Sequence, residues 1–287
     1  MSALTNIFAP FAGDFDAMVI DSMNAVIAAA LSEARLMWLT ALSLYIIGMA
    51  VLCMWHKVDL HEVGVACGRA LVIAFLLRTE NYSFYVRDLF FTDLPNTFGA
   101  MLGGARTAVN SAQQFDRLWS AVLHVVAQAL GVATGMFGWA DRAITWFLAI
   151  LCLIPLGVVF AIWLMGRVFM AILICIGPFL LILGLFKSTR GFVQGWVGRL
   201  VGIAIFQLAT SVLLRILLVV VSRRLQAAQT SIGTTPDEMH GALAGIFAVF
   251  ALGAVVMAAL PAAVAIGGGS AAATVAATAG VRRLFRR

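Results

Sequence analysis

Charge is what this sequence has least of. Only 11% of its 287 residues are Asp, Glu, Lys or Arg, against 63% hydrophobic, whereas an ordinary globular chain is about 25% charged and about 45–50% apolar. With a mean hydropathy of +1.03, that balance excludes a soluble fold and points to an integral membrane protein. Cysteine is also sparse. Cys53, Cys67, Cys152 and Cys175 all stand in apolar stretches, which makes them small buried hydrophobes rather than a disulfide framework or a metal site. The uncharged runs hold neither a pair of acids nor a Ser/His pair, so intramembrane proteolysis has no machinery in them.

Two near-motifs fail on inspection. His56, Asp59, His61 and Glu62 gather possible ligands, but a zinc-protease spacing would need His where Val65 stands, and a solvated turn is the simpler reading. Gly184-Leu185-Phe186-Lys187-Ser188 carries the Lys-Ser pair of a phosphate loop, yet Phe186 and Leu180 occupy the glycine positions. No enzyme activity, cofactor or metal is expected.

The net charge of +6 is unevenly placed: residues 1–142 hold 8 basic and 11 acidic side chains, residues 143–287 hold 11 and 2. Basic flanks on apolar segments are topology signals before they are nucleic-acid sites. The acidic start, with Asp14, Asp16, Asp21 and Glu33 around the first base, Arg35, lacks the basic region of a secretory signal, and no cleaved leader is expected.

The expected fold is all-α: a polytopic helix protein of five or six spans. Residues 1–35 read as an N-terminal amphipathic helix, periplasmic or interfacial, and 36–77 as a first transmembrane pair, its second run short and holding Arg69. Residues 78–142 read as an extramembrane, periplasmic loop of balanced charge, five basic and five acidic. Within it, 105–138 is amphipathic through Phe115, Leu118, Trp119, Val122, Leu123, Val126 and Leu130. Residues 143–266 form a C-terminal transmembrane bundle, and 267–287 a Gly/Ala-rich basic cytoplasmic tail. The stretch 143–186 would be about 66 Å long as one helix, over twice the roughly 30 Å hydrocarbon core. Two spans or one sharp bend are therefore expected, with the turn at Gly166-Arg167 and kinks at Pro155 and Pro178. Six full spans put both termini on one side and five put them on opposite sides; the acidic start and arginine-rich end favour opposite sides.

Arg215 lies within the apolar run 197–221. It either snorkels toward Arg223 or faces inward as a pore or helix contact with Gln207 and Ser211. Glycines four apart, at 191/195, 198/202 and 241/245, allow close helix approach within one chain or between copies.

Residues 171–196 read AILICIGPFLLILGLFKSTRGFVQGW. The apolar helix broken at Gly177-Pro178-Phe179, followed by Thr189-Arg190, Phe192 and Trp196, resembles the TrbL/VirB-six family of polytopic inner-membrane subunits of bacterial type IV secretion systems. The resemblance is best over residues 143–222. It implies a multi-pass protein of the bacterial inner membrane that acts as channel or platform of a conjugation machine, passing substrate across that membrane and supporting pilus or stalk assembly. Gly177, Pro178 and Phe179 would be a hinge, and Thr189, Arg190, Phe192 and Trp196 subunit-contact or substrate-passage residues. The implied partners are further copies of the chain, a minor pilin or stalk protein, pilin, scaffold and core-complex proteins, secretion ATPases, membrane lipid, and translocated DNA or protein in transit. A small-solute transporter or independent channel is the alternative; it would ordinarily show inverted repeats with paired broken helices, while the prolines here are consecutive.

Overall fold

The computed structural model describes residues 6–55, 60–94, 97, 111–132, 138–231 and 240–261. Every described element is helical: α1 (Phe8–Met54), α2 (Leu60–Leu76), α3 (Thr79–Tyr82), a π-helix (Ser83–Asp93), α4 (Ser111–Val132), α5 (Gly138–Leu183), α6 (Arg190–Ser231) and α7 (His240–Pro261). Four of these, α1, α5, α7 and the stretch Arg190–Arg224 of α6, are long and apolar enough to cross a membrane. At 17 residues, α2 is about 26 Å long, short of a roughly 30 Å core.

Two adjoining segments prove continuous, and one expected turn is corrected. The N-terminal amphipathic segment and the first span are one helix of 47 residues, because no proline follows Pro10 in α1 and the stretch is rich in Ala, Leu and Met, all strong helix formers. Pro10 is harmless in the first turn, where its missing N–H would have no partner. Likewise, residues 138–183 form a single helix of 46 residues, with no turn at Gly166-Arg167. Arg167 needs no turn to reach water: its Nε donates to Asp16 Oδ1 at 2.7 Å, and its guanidinium lies 4.4 Å from the Phe91 ring centre. Gly166 serves close packing instead, since a Cβ there would sit 2.8 Å from Phe206 Cε1.

The described helices assemble into two compact units. Unit 1 comprises residues 1–15, 96–166 and 205–287, and unit 2 comprises residues 16–95 and 167–204. Chain order therefore does not define the units, because α1, α5 and α6 each contribute to both.

In unit 1 the start of α1 packs with α4, α5, α6 and α7. Phe8, Phe115, Phe160 and Trp163 form an aromatic knot with centroid separations of 4.8 Å for Phe8–Phe160 and 5.1 Å for Phe115–Phe160. The apolar stripe of α4 is fully used: Phe115, Leu118, Trp119, Val122 and Val126 are buried. The central amphipathic helix is thus part of a core, with its apolar face already covered. Asp116, on the same helix, accepts hydrogen bonds from the amides of Ile7, Phe8 and Ala9 at 2.8–2.9 Å. Those are donors that the first turn of α1 cannot satisfy itself, so a carboxylate more than a hundred residues away caps that helix and complements its dipole. The last helix, α7, is tied in by Cys152 Sγ to the Leu243 carbonyl at 3.7 Å and by Thr210 Oγ1 to Met257 Sδ at 3.6 Å.

In unit 2, Ile27 and Leu31 of α1 pack with Tyr82, Phe91, Met170, Ile174, Leu185 and Leu200. The C-terminal half of α1 behaves differently. Leu36, Leu39, Leu44, Ile46, Ile47 and Met54 are exposed, and a continuous bare apolar face of this kind suits lipid or another subunit, not water.

Candidate functional site: the proline clamp and the turn after it

Pro178 sits inside α5 rather than at its end. A proline at that place has no N–H to give to the carbonyl four residues back, which leaves the Ile174 oxygen without its helical donor. Tyr82 supplies the replacement: its hydroxyl donates to the Ile174 carbonyl at 2.5 Å. Trp196, from α6, donates its indole N–H to the neighbouring Leu173 carbonyl at 2.8 Å. Both rings close over Gly177. A Cβ there would lie 2.5 Å from Trp196 Cζ2, and closer still to the Tyr82 hydroxyl, so only glycine admits this double clamp. Burial holds the Tyr82 hydroxyl protonated well above the usual tyrosine range, with nearby Cys175 adding to the effect.

The sequence-derived hinge residues therefore coincide with a point where three elements meet within unit 2. Gly177 and Pro178 are buried and Phe179 is half-buried. Tyr82, the residue that completes the clamp, carries no local signal in the sequence; it ends the short helix α3 and precedes eleven residues of π-helix. A π-helix of that length is rare. It presents Val86 and Phe91 to the core and carries the adjacent Arg87–Asp88 ion pair at 2.7 Å, with Arg87 Nη1 also bonded to Asn24.

Past Leu183 the chain turns sharply. Gly184 and Leu185 donate to the carbonyls of Leu181 and Ile182, and the Thr189 hydroxyl donates to the last carbonyl of α5, that of Leu183, at 2.5 Å. Thr189 thus joins the end of α5 to the start of α6, where Phe192 N–H reaches back to its carbonyl at 3.0 Å. The four residues singled out after the hinge divide sharply by environment. Trp196 is 5% exposed and spent on the clamp, whereas Phe192 is 65% exposed. Arg190 is half-buried, and its Nε is buried without a hydrogen-bond partner.

Gln207 and Arg215 lie on different faces of α6 within the protomer. Gln207 is 4% exposed with both amide atoms unpartnered. Arg215 is exposed, on the face it shares with Val212, Ile216 and Val219. The buried stripe of α6 runs through Gln207, Thr210, Ser211, Leu214, Leu217 and Val221, and Arg215 lies off it, so the structure does not bring the two together. The glycine pairs are redistributed too. Cβ atoms at Gly191, Gly195, Gly198 and Gly241 would meet nothing within 4 Å, whereas Gly253, in none of the pairs, would meet Leu217 at 2.8 Å.

Of the cluster at the end of α1, His56 and Asp59 lie outside the described residues, as does the basic tail. Among the described residues no group of three or more His, Cys, Asp or Glu is arranged to hold a metal.

The family described as TrbL/VirB6 plasmid conjugal transfer protein matches residues 40–264, a range that includes the clamp, the turn and most of the bare half of α1. A type IV secretion system protein VirB6 from Bartonella quintana (strain Toulouse) is 24% identical over 192 residues, 67% of this chain and 56% of that protein. The chain therefore spans little more than half the length of that relative.

Proposed function

The chain belongs to the TrbL/VirB6 family of plasmid conjugal transfer proteins, and on that premise we propose that it is an inner-membrane subunit of a type IV secretion machine, one that passes substrate across the membrane and seats the pilus or stalk without a catalytic step of its own. The observation that carries this reading is the extent of the family match, which takes in three of the four long apolar helices whole or nearly so and the end of the fourth. The charge asymmetry favours an outside N-terminus and a cytoplasmic basic tail, which needs an odd number of crossings, so that the short α2 would have to add a fifth to the four long apolar helices. A shared conduit between copies is supported by the open glycines of α6 and by the bare half of α1, both of which are surfaces for another helix. In this scheme Phe192 meets a neighbouring subunit or the substrate, while Trp196 positions it through the clamp. Minor pilin, scaffold and core-complex proteins are the expected neighbours.

The test is a transfer assay on Phe192→Ala and on a conservative Phe192→Leu, with membrane levels measured in parallel. Lost transfer in the alanine variant at normal protein level, with partial recovery in the leucine variant, supports the reading; full transfer in both removes Phe192 from it. One observation suits a solute carrier instead, the Asp16–Arg167 pair with side chains only 20% and 11% exposed, because ionisable groups inside long apolar helices mark transport pathways. Solute flux through the purified protein in liposomes, abolished by Asp16→Asn, would select that alternative.

A further inference from the structure

Beside the turn that follows α5, unit 2 holds a cavity of about 850 Å³, and its two walls differ in chemistry. One is cationic: Arg69 of α2, Lys187 and Ser188 of the turn and Arg190 of α6 line it, against a single carboxylate, Glu62. The α1 side is apolar, formed by Leu44, Met49 and Leu52. Among the described ion pairs none involves Arg69, Lys187 or Arg190. The buried Nε of Arg190 has no hydrogen-bond partner.

We infer that this cavity is a binding site for an anionic phospholipid, its phosphate held by Arg69, Lys187 and Arg190 and an acyl chain laid along the α1 wall. Guanidinium groups match phosphate oxygens in geometry as well as charge, and basic pockets between membrane helices are a recurring place for acidic headgroups. The apolar wall distinguishes a lipid from free phosphate, because it has nothing to offer a small hydrated ion. Its chemistry also continues outward: Leu44 and Leu52 belong to the exposed apolar face of α1, where a bilayer lipid would already lie. The inference requires only that the protein sits in a membrane, and it stands or falls independently of what the protein transports.

Native mass spectrometry of the delipidated full-length protein in mild detergent tests it, with phosphatidylglycerol and phosphatidylcholine of the same chains titrated separately and thermal stabilisation recorded alongside. The wild type is expected to retain phosphatidylglycerol preferentially and to be stabilised by it. Arg190→Gln and Arg69→Gln should each weaken that preference about fivefold, Arg215→Gln outside the cavity should leave it unchanged, and millimolar inorganic phosphate should not displace the lipid. Equal retention of the two lipids by the wild type overturns the proposal without reference to any variant. So does an undiminished preference in folded Arg69→Gln/Arg190→Gln protein. Full displacement by inorganic phosphate replaces the lipid site with a free-anion site.

Discussion

Tyr82→Phe is the substitution with the sharpest expected consequence. Tyr82 is fully buried, so phenylalanine keeps the ring and its packing and removes only the hydroxyl that donates to the Ile174 carbonyl. With Pro178 in place that carbonyl has no helical donor, and an unsatisfied buried acceptor costs about 1–3 kcal/mol. In a Pro178→Ala background the amide at 178 returns and bonds the same carbonyl, so the cost of Tyr82→Phe should fall below about 0.5 kcal/mol. The two changes are thus coupled by about 0.5–3 kcal/mol, a size that a double-mutant cycle resolves. Equilibrium unfolding in mixed micelles, followed by tryptophan fluorescence, gives the four stabilities. Equal cost of Tyr82→Phe in both backgrounds would refute the clamp. The pH dependence has a fixed sign. Tyr82 ionises near 10 when unfolded and only at higher pH when folded, so the unfolded state binds fewer protons above pH 10 and stability falls as pH rises beyond that value, with no contribution below it. Tyr82→Phe should remove that part of the alkaline loss.

Breaking the Asp16–Arg167 pair with Asp16→Asn removes a 2.7 Å charged hydrogen bond and should lower unfolding stability by about 1.5–3 kcal/mol, with a smaller loss in Asp16→Leu/Arg167→Met; a double variant no more stable than the single one contradicts this. Gln207→Leu removes an amide with two unpartnered buried atoms and should leave unfolding stability unchanged or raise it by about 1 kcal/mol, whereas a loss of more than that would reveal a partner for the amide. Gly195→Leu meets open space in the protomer, so monomer stability should hold while any assembly that uses that face, sized by light scattering in detergent, comes apart.

What could be read along the chain was what depends on local periodicity. The stripe through Phe115, Leu118, Trp119, Val122 and Val126 marks α4 and its buried face correctly, because a helical repeat shows directly in sequence. Partnership at a distance is invisible to that method. Arg167 reads as a boundary in an apolar run until Asp16, 151 residues away, is placed beside it. Asp116 reads as part of a solvated loop until it is seen capping α1. Pro178 was visible as a place where a helix loses a bond, but not Tyr82 as the side chain that replaces it. Glycine spacing does not mark close approach within the protomer: Gly166, Gly177 and Gly253 are pressed by neighbouring side chains, and none of them belongs to the four-residue pairs.

The central claim, that this protein is one subunit of a secretion assembly, is tested most directly by mild-detergent extraction of the tagged full-length chain from its own host, native mass measurement and identification of every co-purifying protein. The account predicts a defined homo-oligomer accompanied by pilin-like and scaffold proteins. A lone monomer or dimer without partners, active in solute flux, would contradict it.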